Sequence, residues 1–385
     1  MRIGIITFWQ GKDNYGQLLQ CWALQQYLKK QGHKPFLIRY DFVGNIYRPS
    51  PRRYLKLFLI YPIFRKIGSL INKMKNERLR YYNDLKNEER KFSDFLKENI
   101  VVSDHIYSDY SALRKTPPLA ECYITGSDQV WAQKLDYEDN KAFFLAFGEK
   151  DIKRIAYAPS FAMKNYPHKL LPLLKKELAS FDNISVRESD GCRICASIGV
   201  KATKVLDPTL LLEKTDYLQL LGKVASTKKY VYIYSLNIVS ANEIRWNELQ
   251  SYIKRNKNHI IATPASGYTP GRELFGSIDY SYATIQDWLS NIYYAELVIT
   301  TSFHGIAFCI LLEKPFVYIP LKGKYSRGNN RVLDLLEDLD LNHRILDDNS
   351  TYESIAQQSI DWHLVNLKLI RKREHSFLFL KCALQ

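Results

Sequence analysis

The chain has 385 residues, of which 46% are hydrophobic and 25% charged, with 55 Lys and Arg against 40 Asp and Glu and a formal net charge of +15. A single core rarely grows past about 250–300 residues, so the length points to two domains. The apolar content excludes a disordered chain, and no apolar run reaches the roughly 18–20 residues of a membrane span. The positive balance favours an anionic partner, whether nucleic acid, a phosphorylated small molecule or an anionic membrane surface, without choosing among them.

The N-terminal run "MRIGIITFWQGKDNYG" lacks a secretory pattern, so a cytoplasmic location is expected. "RIGIITF" reads as a strand, "WQGKDNYG" as a turn and "QLLQCWALQQYLKKQGH" as a helix whose apolar residues recur at helical spacing, with Gly32 at its C-cap; "KPFLIRYDF" is the next strand. This β-loop-α-β unit opens a parallel α/β sheet. From about 48 to 98 the chain changes character. Between Arg48 and Lys91 there are 13 Lys and Arg against 4 Asp and Glu, in a helical, aromatic-rich pattern. That segment reads as a helical insertion, either a solvated face or a surface that meets anionic lipid.

The α/β rhythm resumes with strands in "ECYITGSDQVW", "KRIAYAPSFA", "NISVRE" and "KATKVLDPTLLL", and restarts near 210 with "KYVYIYSL", a helix through the 240s and early 250s, "HIIATPA", the helix "TIQDWLSNIYYAE", the strand and turn "LVITTSFHG", the helix "IAFCILLE", the strand "PFVYIP" and the helix "NRVLDLLEDLDL". The expected layout is an N-terminal Rossmann-like domain over 1–210, a C-terminal one over 211–355 and a basic helical tail over 356–385, with a cleft between the domains. Six cysteines lie at 21, 122, 192, 195, 309 and 382. Cys192 and Cys195 form a CxxC with no second pair, which reads as coincidence on a helix rather than a zinc or redox site.

Four stretches put polar groups just past predicted strands: "DNYGQLLQ" (13–20), "TGSDQVW" (125–131), "SVRE" (185–188) and "TTSFHG" (300–305). In open α/β sheets ligands bind outside the carboxyl ends of the strands. An Arg there offers a permanently charged fork for carboxylate or phosphate, a His can donate to phosphate or move a proton near neutral pH, and an Asp can accept from a hydroxyl. No GxGxxG, Walker loop, HExxH or GxSxG elbow is present in the sequence.

Taken in this order, with "DPTLLL" (207–212) between the third and fourth, the stretches resemble the polysaccharide pyruvyl transferase family, from "NYGQLLQCWALQQYL" to "TTSFHGIAFCILLEKPFVYI". The resemblance implies an α/β fold similar to the GT-B glycosyltransferases, with two Rossmann-like domains around a cleft. It implies transfer of pyruvate from phosphoenolpyruvate to a sugar, usually as a ketal bridging two hydroxyls, in bacterial capsule, exopolysaccharide or cell-wall polymer synthesis. By motif, the family's aspartate, arginine and histidine fall on Asp128, Arg187 and His304. Arg187 is the expected partner of a phosphoenolpyruvate anion. Asp128 is expected to orient or deprotonate an acceptor hydroxyl, and His304 either to hold the phosphate or to supply a proton. Asn14, Tyr15 and Gly16 are expected to line the cleft floor, Ser127 and Gln129 to assist Asp128, and Ser302 and Gly305 to help bind the anion; Lys314 and Arg331 read equally well as surface charges. No metal or cofactor is expected beyond the donor. The acceptor sugar is expected on a lipid diphosphate carrier, with the basic insertion bringing the enzyme to the inner face of the membrane. The competing readings are a GT-B-like glycosyltransferase using a nucleotide sugar and, less favoured because no nucleic-acid module appears, a nucleic-acid-binding protein.

Overall fold

The computed structural model describes residues 1–11, 13–41, 88–132, 138–265 and 273–385. Two parallel sheets organise them. The first contains β1 (Arg2–Ile6), β2 (Lys34–Tyr40), β3 (Val102–Tyr107), β4 (Cys122–Thr125), β5 (Lys153–Ala156), β6 (Asn183–Val186) and β7 (Thr203–Lys204), in the order β3-β2-β1-β4-β5-β6-β7. The second contains β8 (Tyr230–Ser235), β9 (His259–Pro264), β10 (Asp279–Tyr280), β11 (Leu297–Thr300) and β12 (Phe316–Tyr318), in the order β10-β9-β8-β11-β12. Every pairing within them is parallel. Strands covered by helices on both faces carry continuous apolar runs rather than alternation. Thus β8 is buried at all six positions, and β1 at four of five.

The longer helices are α1 (Tyr15–Lys30), α2 (Phe92–Asn99), α3 (Leu171–Leu178), α4 (Ser189–Ser197), α5 (Trp246–Arg255), α6 (Ile285–Tyr293), α7 (Phe303–Leu311), α8 (Asn330–Asp338) and α9 (Trp362–Leu384). Gly32 stands just past α1 at φ +82°, and its N–H closes onto the carbonyl of Lys29 at 2.9 Å. That left-handed position favours glycine. In each sheet the strand order reverses between the first strand and its later neighbour, β1 beside β4 and β8 beside β11, so each domain has a crevice at the carboxyl ends of those pairs. This doubly wound α/β topology is the two-domain Rossmann-like architecture expected from the sequence.

Two strands escape the sequence reading. β3 is an edge strand with an exposed middle, "VSDHIY", so it lacks the apolar run of its neighbours, and β10 has only two residues. α7 begins at Phe303, three residues ahead of the expected "IAFCILLE", so His304 sits in its first turn rather than in a preceding loop. The basic insertion expected at about 48–98 lies outside the described residues as far as 87. The helical tail does not stand apart. α9 packs back on the first domain, where Phe377 stacks on Tyr27 with ring centroids 5.1 Å apart, and Arg373 donates to the carbonyls of Leu210 (2.7 Å) and Leu212 (2.9 Å). Asn366 also reaches Glu313 of the second domain at 2.7 Å. Among the described residues no helix is long and apolar enough to cross a membrane.

Candidate active site

The two crevices face each other. From the first domain, the turn after β4 carries Gly126, Ser127 and Asp128. A Cβ on Gly126 would lie 2.3 Å from the Tyr157 carbonyl, and the residue takes φ +103°, so only glycine fits. Asp128 also takes a left-handed φ of +65°, a conformation Asp tolerates better than most residues and one that bound neighbours must hold in place. Those neighbours are identifiable. The Ser160 N–H donates to the Asp128 carbonyl at 2.8 Å, Gln20 of α1 accepts from the Ser127 N–H at 3.1 Å, and Thr7 donates to the Ser127 carbonyl at 3.0 Å.

From the second domain, the stretch 300–305 resolves into a latch and a cap. Thr300 Oγ1 donates to the Tyr234 carbonyl, and Thr301 Oγ1 bonds both the carbonyl and the N–H of Leu236, which fixes the turn to the end of β8. Ser302 is the N-cap of α7, its Oγ accepting from the Gly305 N–H at 3.3 Å. That N–H is therefore committed to the cap. Gly305 is required because a Cβ there would sit 2.5 Å from Thr300 Oγ1. Gly305, expected to help bind the anion, does not line the cavity at the facing crevices.

His304 meets the first domain directly. A Cβ on Gly16 would fall 1.9 Å from its Nδ1, so the glycine expected to line the cleft floor instead makes room for the imidazole. Tyr15 leaves the cleft altogether. It is fully buried, stacked on Trp288 at 5.1 Å, donating to the Ala283 carbonyl at 2.7 Å and accepting from Arg90 at 2.6 Å. Burial pushes its phenol up to about 12, so it stays protonated as a donor that ties the domains together. Its predicted place lining the cavity is corrected to the interdomain core: a tyrosine buries where its ring can stack and its hydroxyl finds hydrogen-bond partners.

The centre of the site is a carboxylate that sequence reasoning left out of the candidate residues. Asp207 Oδ2 lies 2.6 Å from Arg187 Nη1, 2.8 Å from Ser127 Oγ and 3.8 Å from His304 Nε2, while Oδ1 accepts from the N–H (3.0 Å) and hydroxyl (2.8 Å) of Thr209. Burial alone would push this carboxyl up. Contact with His304 and the Arg187 guanidinium, with the Thr209 N–H, outweighs burial and holds it well below the usual carboxylate range. The available signal was the aspartate of "DPTLLL", which sits past a strand like the other three acidic or basic groups. Asp128 is a second carboxylate facing Arg187, 3.8 Å from Nη2. Among the described residues, the buried Arg187 Nε and Nη2 and His304 Nε2 find no hydrogen-bond partner. A buried cation with unmet donors is costly, and the arrangement suits an anion that supplies the missing acceptors.

A cavity of about 250 Å³ opens at the facing crevices, lined by Asp13, Asn14, Gln17, Asp128, Gln129, Asn237, Ser302, Phe303, His304 and Arg331 among others. Of the sequence candidates, Asn14, Asp128, Gln129, Ser302 and His304 reach it, with Asp13, Gln17, Asn237 and Phe303 added by the fold. Asn14 caps α1 without using its side chain. With the Gln129 amide rotated so that its oxygen faces Arg331, it accepts from Nη1 at 3.0 Å and Nη2 at 2.8 Å; the opposite orientation would set its N–H groups against the guanidinium. Arg187 lines a second cavity, of about 360 Å³; Asp207, Lys204, Asp334, Asp338, Arg371 and Lys372 line it too, and Phe303 and Arg331 line both cavities. Lys314 sits apart, past the C-terminal end of α7 with its ammonium 5.8 Å from the Tyr293 ring centroid. Cys192 and Cys195 lie on α4, Cys195 buried and Cys192 bonded to the Ala202 carbonyl.

The order of motifs and their convergence on this cleft agree with a direct sequence match: the model of the polysaccharide pyruvyl transferase family covers residues 14–323. The chain belongs to this family. Of the three motif residues, Arg187 and His304 stand around one carboxylate, Asp207, while Asp128 faces Arg187 from 3.8 Å. Similar solved structures include a Listeria monocytogenes protein described as a UDP-N-acetylglucosamine 2-epimerase (9% identity, 97% of this chain and 90% of that one, TM-score 0.48). They also include the UDP-GlcNAc 2-epimerase from Neisseria meningitidis bound to UDP-GlcNAc (11%, 98% and 93%, 0.45) and MurG from Acinetobacter baumannii (12%, 97% and 95%, 0.40). At such scores the description of the fold stands on the strand orders above. No curated protein matches the sequence.

Proposed function

We propose that this family member transfers pyruvate from phosphoenolpyruvate to two hydroxyls of a sugar, forming a ketal, in the synthesis of a bacterial capsule, exopolysaccharide or cell-wall polysaccharide. The observation that carries this reading is that, among the described residues, the buried Arg187 Nε and Nη2 and His304 Nε2, which adjoin the cleft, find no hydrogen-bond partner. A donor with both carboxylate and phosphate supplies the acceptors they lack.

The chemistry asks three things of the protein. A proton goes to C3 of the enol ether while a sugar hydroxyl oxygen bonds C2 and gives up its own proton. The C2–O bond to phosphate then breaks, and the second hydroxyl bonds C2. Of the two hydroxyl protons one is matched by the C3 proton and the other leaves with phosphate, so the products are the ketal and inorganic phosphate. Arg187 stabilises the anionic end that gathers charge as phosphate leaves. His304, in the first turn of α7, is placed to hold the phosphate or pass the proton. Asp128, held in its unusual backbone conformation, is the acceptor-side carboxylate that orients or deprotonates a hydroxyl.

The test is phosphate release from phosphoenolpyruvate with a panel of galactose-, glucose-, mannose- and N-acetylhexosamine-terminated acceptors, run beside thermal-shift titrations with phosphoenolpyruvate and with nucleoside diphosphate sugars. Stabilisation by phosphoenolpyruvate and acceptor-dependent phosphate release support the reading. Stabilisation by a nucleotide sugar alone would replace it with a glycosyltransferase.

A further inference from the structure

The two cavities meet at Phe303 and Arg331 and differ sharply in charge. The first is walled by side-chain amides and hydroxyls, the His304 imidazole, two carboxylates, Asp13 and Asp128, and a single arginine, with apolar residues such as Phe8 and Leu236 between them. That lining is rich in groups that hydrogen-bond hydroxyls and holds only one permanent cation. In the second, five Lys and Arg face three Asp. Three of those cations are paired with the carboxylates: Lys204 with Asp334 and Asp338 at 2.8 Å each, Lys372 with Asp338 at 2.9 Å, and Arg187 with Asp207 at 2.6 Å. Arg187 spends one nitrogen on Asp207 and, among the described residues, keeps two donors without a hydrogen bond, although its side chain is only 2% exposed. Arg371 and His375, both on α9, make no ion pair among the described residues and stand at the outer wall. Its volume of about 360 Å³ falls in the ~300–1,000 Å³ range of small-molecule sites.

We propose that the two substrates are divided between these cavities: the second takes the phosphate-bearing donor, with Arg187 at its base and Arg371 of α9 at its mouth, and the first takes the acceptor's hydroxyls. This rests on the transferase reading above and adds the location of each substrate and a donor-binding role for the C-terminal helix. The reacting carbon then lies at the shared wall. Arg187 and Arg331 both lie within cation–π reach of the Phe303 ring there, 4.4 and 5.9 Å from its centroid, so the ring's π density offsets part of the cost of holding two guanidiniums beside it. His304 on the same turn faces Asp207 across 3.8 Å, which puts a proton-carrying group at the junction.

The experiment is calorimetric titration of the full-length chain with phosphoenolpyruvate and, separately, inorganic phosphate, using wild type, Arg371→Glu, Gln17→Ala in the first cavity, and Lys381→Glu as an exposed charge control on the same helix. Arg371→Glu is expected to weaken both anions about tenfold, more at low salt than at high, while Gln17→Ala and Lys381→Glu stay within about twofold of wild type. Arg371→Glu binding both anions like wild type overturns the assignment, as does an equal loss in Gln17→Ala or a wild type that binds neither. Wild type that binds phosphate but not phosphoenolpyruvate removes the donor named under the proposed function. The cavity is then judged on phosphate alone, where a tenfold loss in Arg371→Glu upholds it as an anion site and no loss overturns it.

Discussion

His304 owes its position to a residue with no side chain. Because a Cβ at Gly16 would fall 1.9 Å from the imidazole, Gly16→Ala is expected to push the ring out of place and to lower kcat by at least about 100-fold, close to the loss in His304→Ala, with a native circular dichroism spectrum in both. A Gly16→Ala enzyme that turns over normally would show that ring placement is not critical. Arg187 calls for a gentler change. Arg187→Ala would strand Asp207, 0% exposed at its side chain, without its closest cation, and removing one partner of a buried pair costs roughly 3–5 kcal/mol. For Asp207 the pH sign is fixed by its depressed carboxyl. A carboxylate whose folded value lies below its unfolded one contributes stability in full above the unfolded range, near pH 4, and loses it as the pH falls through the folded value. Urea denaturation should therefore show wild type well ahead of Asp207→Asn at pH 7, with the gap narrowing as the pH falls below about 4. A constant gap would mean that the carboxylate's charge plays no part.

At the scale of elements, α9 supports the loop that carries Asp207. The Leu206 N–H, next to that residue, donates to Ser376 Oγ at 3.0 Å, and Arg373 covers the carbonyls of Leu210 and Leu212 on the far side of the same loop. Arg373→Ala leaves two carbonyls without their donor and should cost about 1–3 kcal/mol in chemical denaturation. A loss below about 0.5 kcal/mol would show that water replaces the guanidinium freely. The sequence marked this tail as helical and basic, yet its partner surface was hidden. A helix that buries Val365, Leu369, Leu380 and Ala383 while exposing Leu364, Leu367, Ile370 and Leu378 has no single apolar stripe from which a docking face can be read. β3 was hidden for a related reason, since its exposed middle positions give an edge strand the composition of a loop.

Over the whole molecule, the charge of +15 and the basic run between 48 and 91 fit the proposal that the enzyme works on an acceptor carried at an anionic membrane surface. Full-length protein is expected to co-sediment with phosphatidylserine-containing vesicles at low salt, and binding should fall as ionic strength rises past physiological values. Equal recovery with neutral and anionic vesicles would leave the basic run as a solvated face.

Pattern in the chain was enough to announce two doubly wound α/β halves, because strands buried on both faces must be continuously apolar and the helices between them must repeat near 3.6 residues. It also marked Asp128, Arg187 and His304 as candidates, each just past a strand where such sheets open. What folding alone decided is which of these groups meet, and around what. Asp207 became the hub because β6, the loop after β7 and the start of α7 converge there, a contact between residues 20 and 97 positions apart that no local signal encodes. Tyr15 and Gly16, neighbours of Asn14 in one turn, went to a core and to a clearance for the imidazole, since the direction of a side chain on a helix's first turn is set by what packs against it.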